Sequence, residues 1–111
     1  MKRVMVLTGI LCVVFLAGCR DNNSPSEVFR QFFAAVEVND ADALARVATE
    51  GTVEMIEMIG PEFITGNGPI QSITEEIYGD EAVVTVTFEN GEIEEFDLIR
   101  VDGNWKVSLG K

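Results

Sequence analysis

Glu81-Ala82-Val83-Val84-Thr85-Val86-Thr87-Phe88-Glu89 puts Ala82, Val84, Val86 and Phe88 on one side and Glu81, Thr85, Thr87 and Glu89 on the other. A period of two is that of a strand with one face in a core and one in water. The stretch is bounded by Gly79-Asp80 and Asn90-Gly91, and a third pair, Asp102-Gly103, follows. These are tight-turn dipeptides, and they divide the chain after Ile70 into strands near 70–78, 81–89, 92–101 and 104–109. Neighbours joined by tight turns run antiparallel, so this half of the chain is a meander.

The turn at Asn90-Gly91 decides which residues go inside. A strict two-residue turn pairs 89 with 92 and places Glu95 and Asp97 opposite Val86 and Val84, on the core side. The same count at Gly79-Asp80 sets Glu75 beside Val84. Three carboxylates, Glu75, Glu95 and Asp97, would then share a concave pocket, with raised pKa values suited to acid/base work or cation binding. A three-residue loop, Glu89-Asn90-Gly91 with Gly91 left-handed, shifts the register by one. It pairs Val84 with Phe96 and Ala82 with Leu98, and sends Glu95 and Asp97 to solvent. An even-length loop at Asp102-Gly103 then adds Trp105, Val107 and Leu109 to the same apolar face. Burying unpaired carboxylates is costly, which favours the second register.

Upstream of the strands the period changes to that of a helix. Ser24-Pro25-Ser26-Glu27 is a Ser-x-x-Glu capping box with proline at the first helical position. Phe29, Phe32, Phe33 and Val36 follow at i, i+3, i+4 and i+7, a core-facing stripe ending near Val38. Asp40 can cap a second helix carrying Leu44, Val47 and Ala48 up to Gly51. Thr52 can cap a third, with Met55, Ile56, Met58 and Ile59, closed by Gly60-Pro61. The paired methionines suit an adaptable partner surface, although filling gaps in a core is their commoner use. Gly66-Asn67-Gly68-Pro69 reads as a loop. Helices followed by a meander predict an α+β domain over residues 24–111.

The first residues follow a different rule. Lys2 and Arg3 precede an apolar run from Val4 to Leu16, which ends at Leu16-Ala17-Gly18-Cys19. The run is shorter than the roughly 20 residues a spanning helix needs, so it reads as a secretory signal over 1–18 rather than a permanent anchor. The last four residues resemble the lipobox of bacterial lipoprotein precursors. That resemblance implies cleavage between Gly18 and Cys19, a diacylglyceryl group on the Cys19 sulfur and an acyl chain such as palmitate on the new amine. Two or three acyl chains, at roughly 0.8 kcal/mol per buried methylene, hold a protein to a membrane almost irreversibly. Residues 19–23 become the lipidated end and a short tether. Arg20 stands where an aspartate would favour inner-membrane retention, so the resemblance points to the periplasmic leaflet of the outer membrane.

Composition narrows the chemistry. Loss of Lys2 and Arg3 takes the net charge from −11 to −13, a surface that repels nucleic acid and anionic head groups. With Cys12 removed and Cys19 acylated, no thiol remains for a disulfide, a metal or catalysis. Histidine is absent, and with it the usual neutral-pH acid/base group and the commonest metal ligand. Glu54-Glu57 and Glu75-Glu76 read as solvated faces. Asp40-Ala41-Asp42 and Asp102-Gly103-Asn104 read as turn and cap chemistry, since neither continues into a calcium loop. No cofactor and no metal site is expected.

Ser24-Pro25-Ser26-Glu27-Val28 with Phe32, Asn39-Asp40-Ala41-Asp42-Ala43, Gly79-Asp80-Glu81-Ala82-Val83-Val84 and Val101-Asp102-Gly103-Asn104-Trp105-Lys106-Val107 resemble a group of small bacterial lipoproteins with a nuclear transport factor two-like, or cystatin-like, domain. The resemblance implies helices cradled by a curved four-stranded antiparallel meander, a cone whose mouth can hold a ligand. Relatives of this shape include isomerases and dehydratases, whose catalytic Asp, Tyr and His sets have no counterpart motif here. The expected role is therefore a noncatalytic, membrane-anchored module of the cell envelope. It would bind a small apolar molecule, an envelope protein or a second copy of itself as a homodimer. The alternative is a small carboxylate-dependent enzyme using the concave face of the sheet.

Overall fold

The computed structural model describes residues 23–109, so Gly18 and Cys19, the expected cleavage and lipid-attachment site, lie outside the described residues. The first helix, α1 (Pro25–Val38), begins as the capping box requires: Glu27 N–H donates to Ser24 Oγ, and Ser24 N–H donates to Glu27 Oε1. It ends at Asn39, whose left-handed backbone (φ 56°) lets its N–H reach the carbonyls of Ala35 and Val36. Asp40 Oδ1 then caps α2 (Ala41–Val47) by accepting from Ala43 N–H.

The third helix departs from the sequence reading. Thr49, not Thr52, is the cap of α3 (Glu50–Ile59), and α2 stops at Val47 because Ala48 is extended and forms an isolated parallel bridge with Val107. A short α4 (Glu62–Thr65) follows where no helix was expected. Four residues are too few to show a period, yet Ile64 is buried to 1% exposure. Met58 is exposed rather than filling the core. Among the described residues, no helix is long and apolar enough to cross a membrane.

Strands β1 (Ile70–Tyr78), β2 (Glu81–Phe88), β3 (Ile93–Val101) and β4 (Asn104–Val107) form one antiparallel sheet in chain order. The loop after β2 has three residues. Phe88 N–H donates to Glu92 O, and Gly91 takes φ 93°, a region that β-carbon sterics deny most residues. Ala82 accordingly pairs with Leu98 and Val84 with Phe96. At the last turn Asp102 and Gly103 both have positive φ, the geometry of a two-residue hairpin, and Trp105 and Val107 turn inward.

The buried face of β2 and β3 meets the aromatic stripe of α1. Phe29 lies 4.6 Å from Phe96 and 5.5 Å from Phe32 between ring centroids, and Phe33 lies 6.2 Å from Phe88. Each buried ring contributes about 1.5–3 kcal/mol through removal from water. This α+β arrangement, helices against a four-stranded antiparallel sheet, is the fold class expected from the sequence. The phenylalanines fill the space between α1 and the sheet.

Candidate functional site

The rim carries a groove of about 490 Å³ between α1, α2 and β4. Val28 and Gln31, one helical turn apart, come from α1. Arg46 comes from the last turn of α2, and Asn104, Trp105 and Lys106 from β4. Asn23, the first described residue, completes the wall. The hairpin turn at Asp102-Gly103 fixes the alternation of β4, which is why Trp105 is buried while Lys106, on the other face, is only half-buried.

Each cation here is positioned differently. Lys106 Nζ donates to the carbonyl of Ala45 at 3.2 Å, near the C-terminal end of α2 where backbone carbonyls gather negative charge. Arg100 places its guanidinium 4.4 Å from the centre of the Trp105 ring. It also donates to Gly79 O at 3.3 Å and faces Asp80 at 3.8 Å, the one ion pair among the described residues. Arg46 is exposed and has no hydrogen-bond or charged partner among the described residues. The lining holds arginine, lysine, amides and an indole, and no carboxylate. Such a set of donors suits a negatively charged or acceptor-rich ligand.

The three carboxylates of the candidate pocket are not brought together. Glu95 pairs with Thr85 and Asp97 with Val83, and both are exposed on the outer face of the sheet. Glu75 pairs with Val84 on the helix-facing side, as the two-residue Gly79-Asp80 turn predicts. It is nevertheless exposed, because β1 is an edge strand. Its carboxylate accepts from Ser26 N–H at 2.9 Å, so it sits on the free N–H groups at the start of α1. A pocket of three carboxylates is therefore corrected to one helix-terminal acceptor and two groups on the outer face of the sheet. The physical reason is the odd-length loop at Gly91, which rotates β3 by one residue. Tyr78 donates its hydroxyl to Glu76 Oε1 at 2.6 Å on the outer face. That hydrogen bond, helped by the charges of Glu76 and Glu95, raises its pKa above the ordinary phenol value. No group of three or more metal-ligating side chains occurs among the described residues.

With the geometry in place, the chain can be set beside known proteins. No family model matches it, and no curated protein does. Two solved structures are similar in shape. One, described as an NTF2-like transpeptidase from Campylobacter jejuni, is 20% identical over 78% of this chain and 99% of that one, with a TM-score of 0.49. The other, described as a calcium/calmodulin-dependent protein kinase II association domain from Xanthomonas campestris, is 20% identical over 82% of this chain and 87% of that one, with a TM-score of 0.43. At this distance the likeness concerns the path of the chain, and no activity or partner is taken from either.

Sequence reasoning passed over the groove. Its cue was present in the rarity of basic residues: of Arg30, Arg46, Arg100 and Lys106, the cations within the described residues, three converge on Trp105. They are far apart in the chain, and only the packing of α2 against β4 unites them.

Proposed function

We propose that this protein is a noncatalytic, membrane-tethered binding module of the bacterial cell envelope, held by acyl chains on Cys19. The observation that carries the reading is geometric: Asn23, four residues after Cys19, forms part of the wall of the donor-lined groove at Trp105. Four residues extend at most about 14 Å, so the tether holds the groove close to its point of attachment. Leu16-Ala17-Gly18-Cys19 supplies the attachment, and Arg20 favours the outer membrane's periplasmic leaflet in a Gram-negative cell. The ligand site moves from the phenylalanine-filled concave face to the rim.

A carboxylate-dependent enzyme is the weaker reading. It would use Glu75, Glu95 or Asp97 on the concave face, whereas Glu95 and Asp97 stand on the outer face and Glu75 accepts from Ser26 N–H at the start of α1. A protein-docking role has separate support in Met58, Ile59 and Phe63, exposed apolar side chains at the end of α3 and in α4.

The test of tethering is cell fractionation of Cys19→Ser beside the unaltered protein, with intact mass of both. The unaltered chain is expected in the membrane fraction, beginning at Cys19 and heavier by its acyl groups. Cys19→Ser is expected to lose those groups and to retain its signal. Acyl-free mass for the membrane-extracted wild type would sink the proposal.

A further inference from the structure

We infer that the groove at Trp105 binds the phosphate of an anionic phospholipid head group. The net charge of the chain argues the other way, but charge acts locally within a Debye length of about 8–10 Å. At its lining the groove differs from the rest of the surface. Its lining contains Arg46 and Lys106 and no acidic residue, in a chain with 19 Asp and Glu. Arg100 is stacked on the back of the indole, with its charge answered by Asp80 at 3.8 Å, so the groove's own positive charge is that of Arg46 and Lys106.

The nearest acidic side chain on α1 is otherwise engaged. Glu27 lies one turn before Gln31, and its carboxylate is turned back to Ser24 N–H. Asp42, one turn before Arg46 on α2, makes no ion pair with it among the described residues. Arg46 therefore presents an unneutralised planar fork of donors, the group best matched to phosphate oxygens.

A second observation is independent of charge. Trp105 is 8% exposed, lines the groove and has no hydrogen-bond partner for its indole N–H among the described residues. An indole N–H held this deep is more stable paired than unpaired, and an acceptor in the groove would pair it. Asn23, Gln31 and Asn104 add amide donors around it. Asn104 Nδ2 and Lys106 Nζ also donate to the carbonyls of Asp102 and Ala45, which leaves Arg46 as the lining cation without a protein partner among the described residues.

The choice of a lipid over a soluble phosphate rests on the tethering reading. Asn23 ends the short tether, so head groups are the phosphates present at highest local concentration.

Trp105 is the single tryptophan, so its emission reports the groove directly. The full chain, extracted in uncharged detergent, is titrated with short-chain phosphatidylglycerol below its micellar concentration. Parallel titrations use short-chain phosphatidylcholine, glycerol phosphate and inorganic phosphate. These monomers reach the groove without help from an anchor, so failure here is distinct from failure of the Cys19 test. The expected result is a saturable change with phosphatidylglycerol, weaker at high salt, and at least tenfold weaker responses to the other three: phosphatidylcholine lacks the net negative charge, and the soluble phosphates lack the apolar ester end that Val28, Ala45 and Val47 in the lining would cover. Arg46→Gln should weaken binding about tenfold through loss of a charged hydrogen bond, and Arg30→Gln, a charge loss away from the groove, should not. An equal response to glycerol phosphate or inorganic phosphate makes this a soluble-anion site and overturns the lipid assignment. No response, salt-independent binding, an equal response to phosphatidylcholine, or wild-type affinity in a folded Arg46→Gln overturns it outright.

Discussion

Tyr78 is the only tyrosine, so its ionisation can be followed alone. Its hydroxyl donates to the Glu76 carboxylate, and removing the proton would exchange that bond for repulsion between like charges. Folding thus favours the neutral phenol. The folded pKa exceeds the unfolded one, so the contact's small contribution is complete below the unfolded pKa and is lost as pH rises through the folded value. Near-ultraviolet titration of phenolate should give a midpoint above that of the urea-unfolded chain, and Glu76→Gln should bring it down. Coincident midpoints for folded and unfolded wild type would remove the argument. At this scale the sequence was informative where alternation governed. Glu95 and Asp97 point to solvent because Gly91 could be recognised as a left-handed position. Glu75 was placed on the right face but not on its partner, since a strand residue and a helix start 49 positions apart show no common pattern.

Between elements, Thr52 joins α3 to β4. Its hydroxyl donates to Val107 O at 3.1 Å and accepts from Leu109 N–H at 2.8 Å, with no exposure to solvent. One hydroxyl has a single proton, and Val107 O takes it. The 2.8 Å contact with Thr49 Oγ1 must therefore be donated by Thr49. Thr52→Val keeps the shape and removes this junction, stranding Leu109 N–H. A loss of about 1–3 kcal/mol is expected in urea unfolding. An unchanged midpoint at unchanged slope would show that water replaces the hydroxyl. The two threonines lie three residues apart, and each is a legitimate cap by sequence. What separates them is Val107 on a strand more than fifty residues away, which makes Thr52 more useful inside than at the helix end. The strands were legible for the opposite reason: their turns are local, and a strand's period survives in eight residues.

Taken whole, the molecule is held together against its own charge. Glu76 and Asp97 flank Val83 on the outer face, and Glu95 lies across from Thr85. Cations within the described residues are only Arg30, Arg46, Arg100 and Lys106. Self-repulsion of this kind destabilises a fold and is screened by salt. Raising sodium chloride from about 0.1 M to about 1 M should therefore raise the melting temperature of the folded chain. A flat or falling trend would mean that the Arg100–Asp80 contact and the helix-end charges outweigh the repulsion. Composition gave the sign of this effect, while the gathering of cations at Trp105 depended on packing and stayed hidden. The outer sheet face has a further consequence. A second sheet laid against that face would meet Glu76, Glu81, Glu95 and Asp97 with charges of its own sign, which adds to the work of bringing the two together.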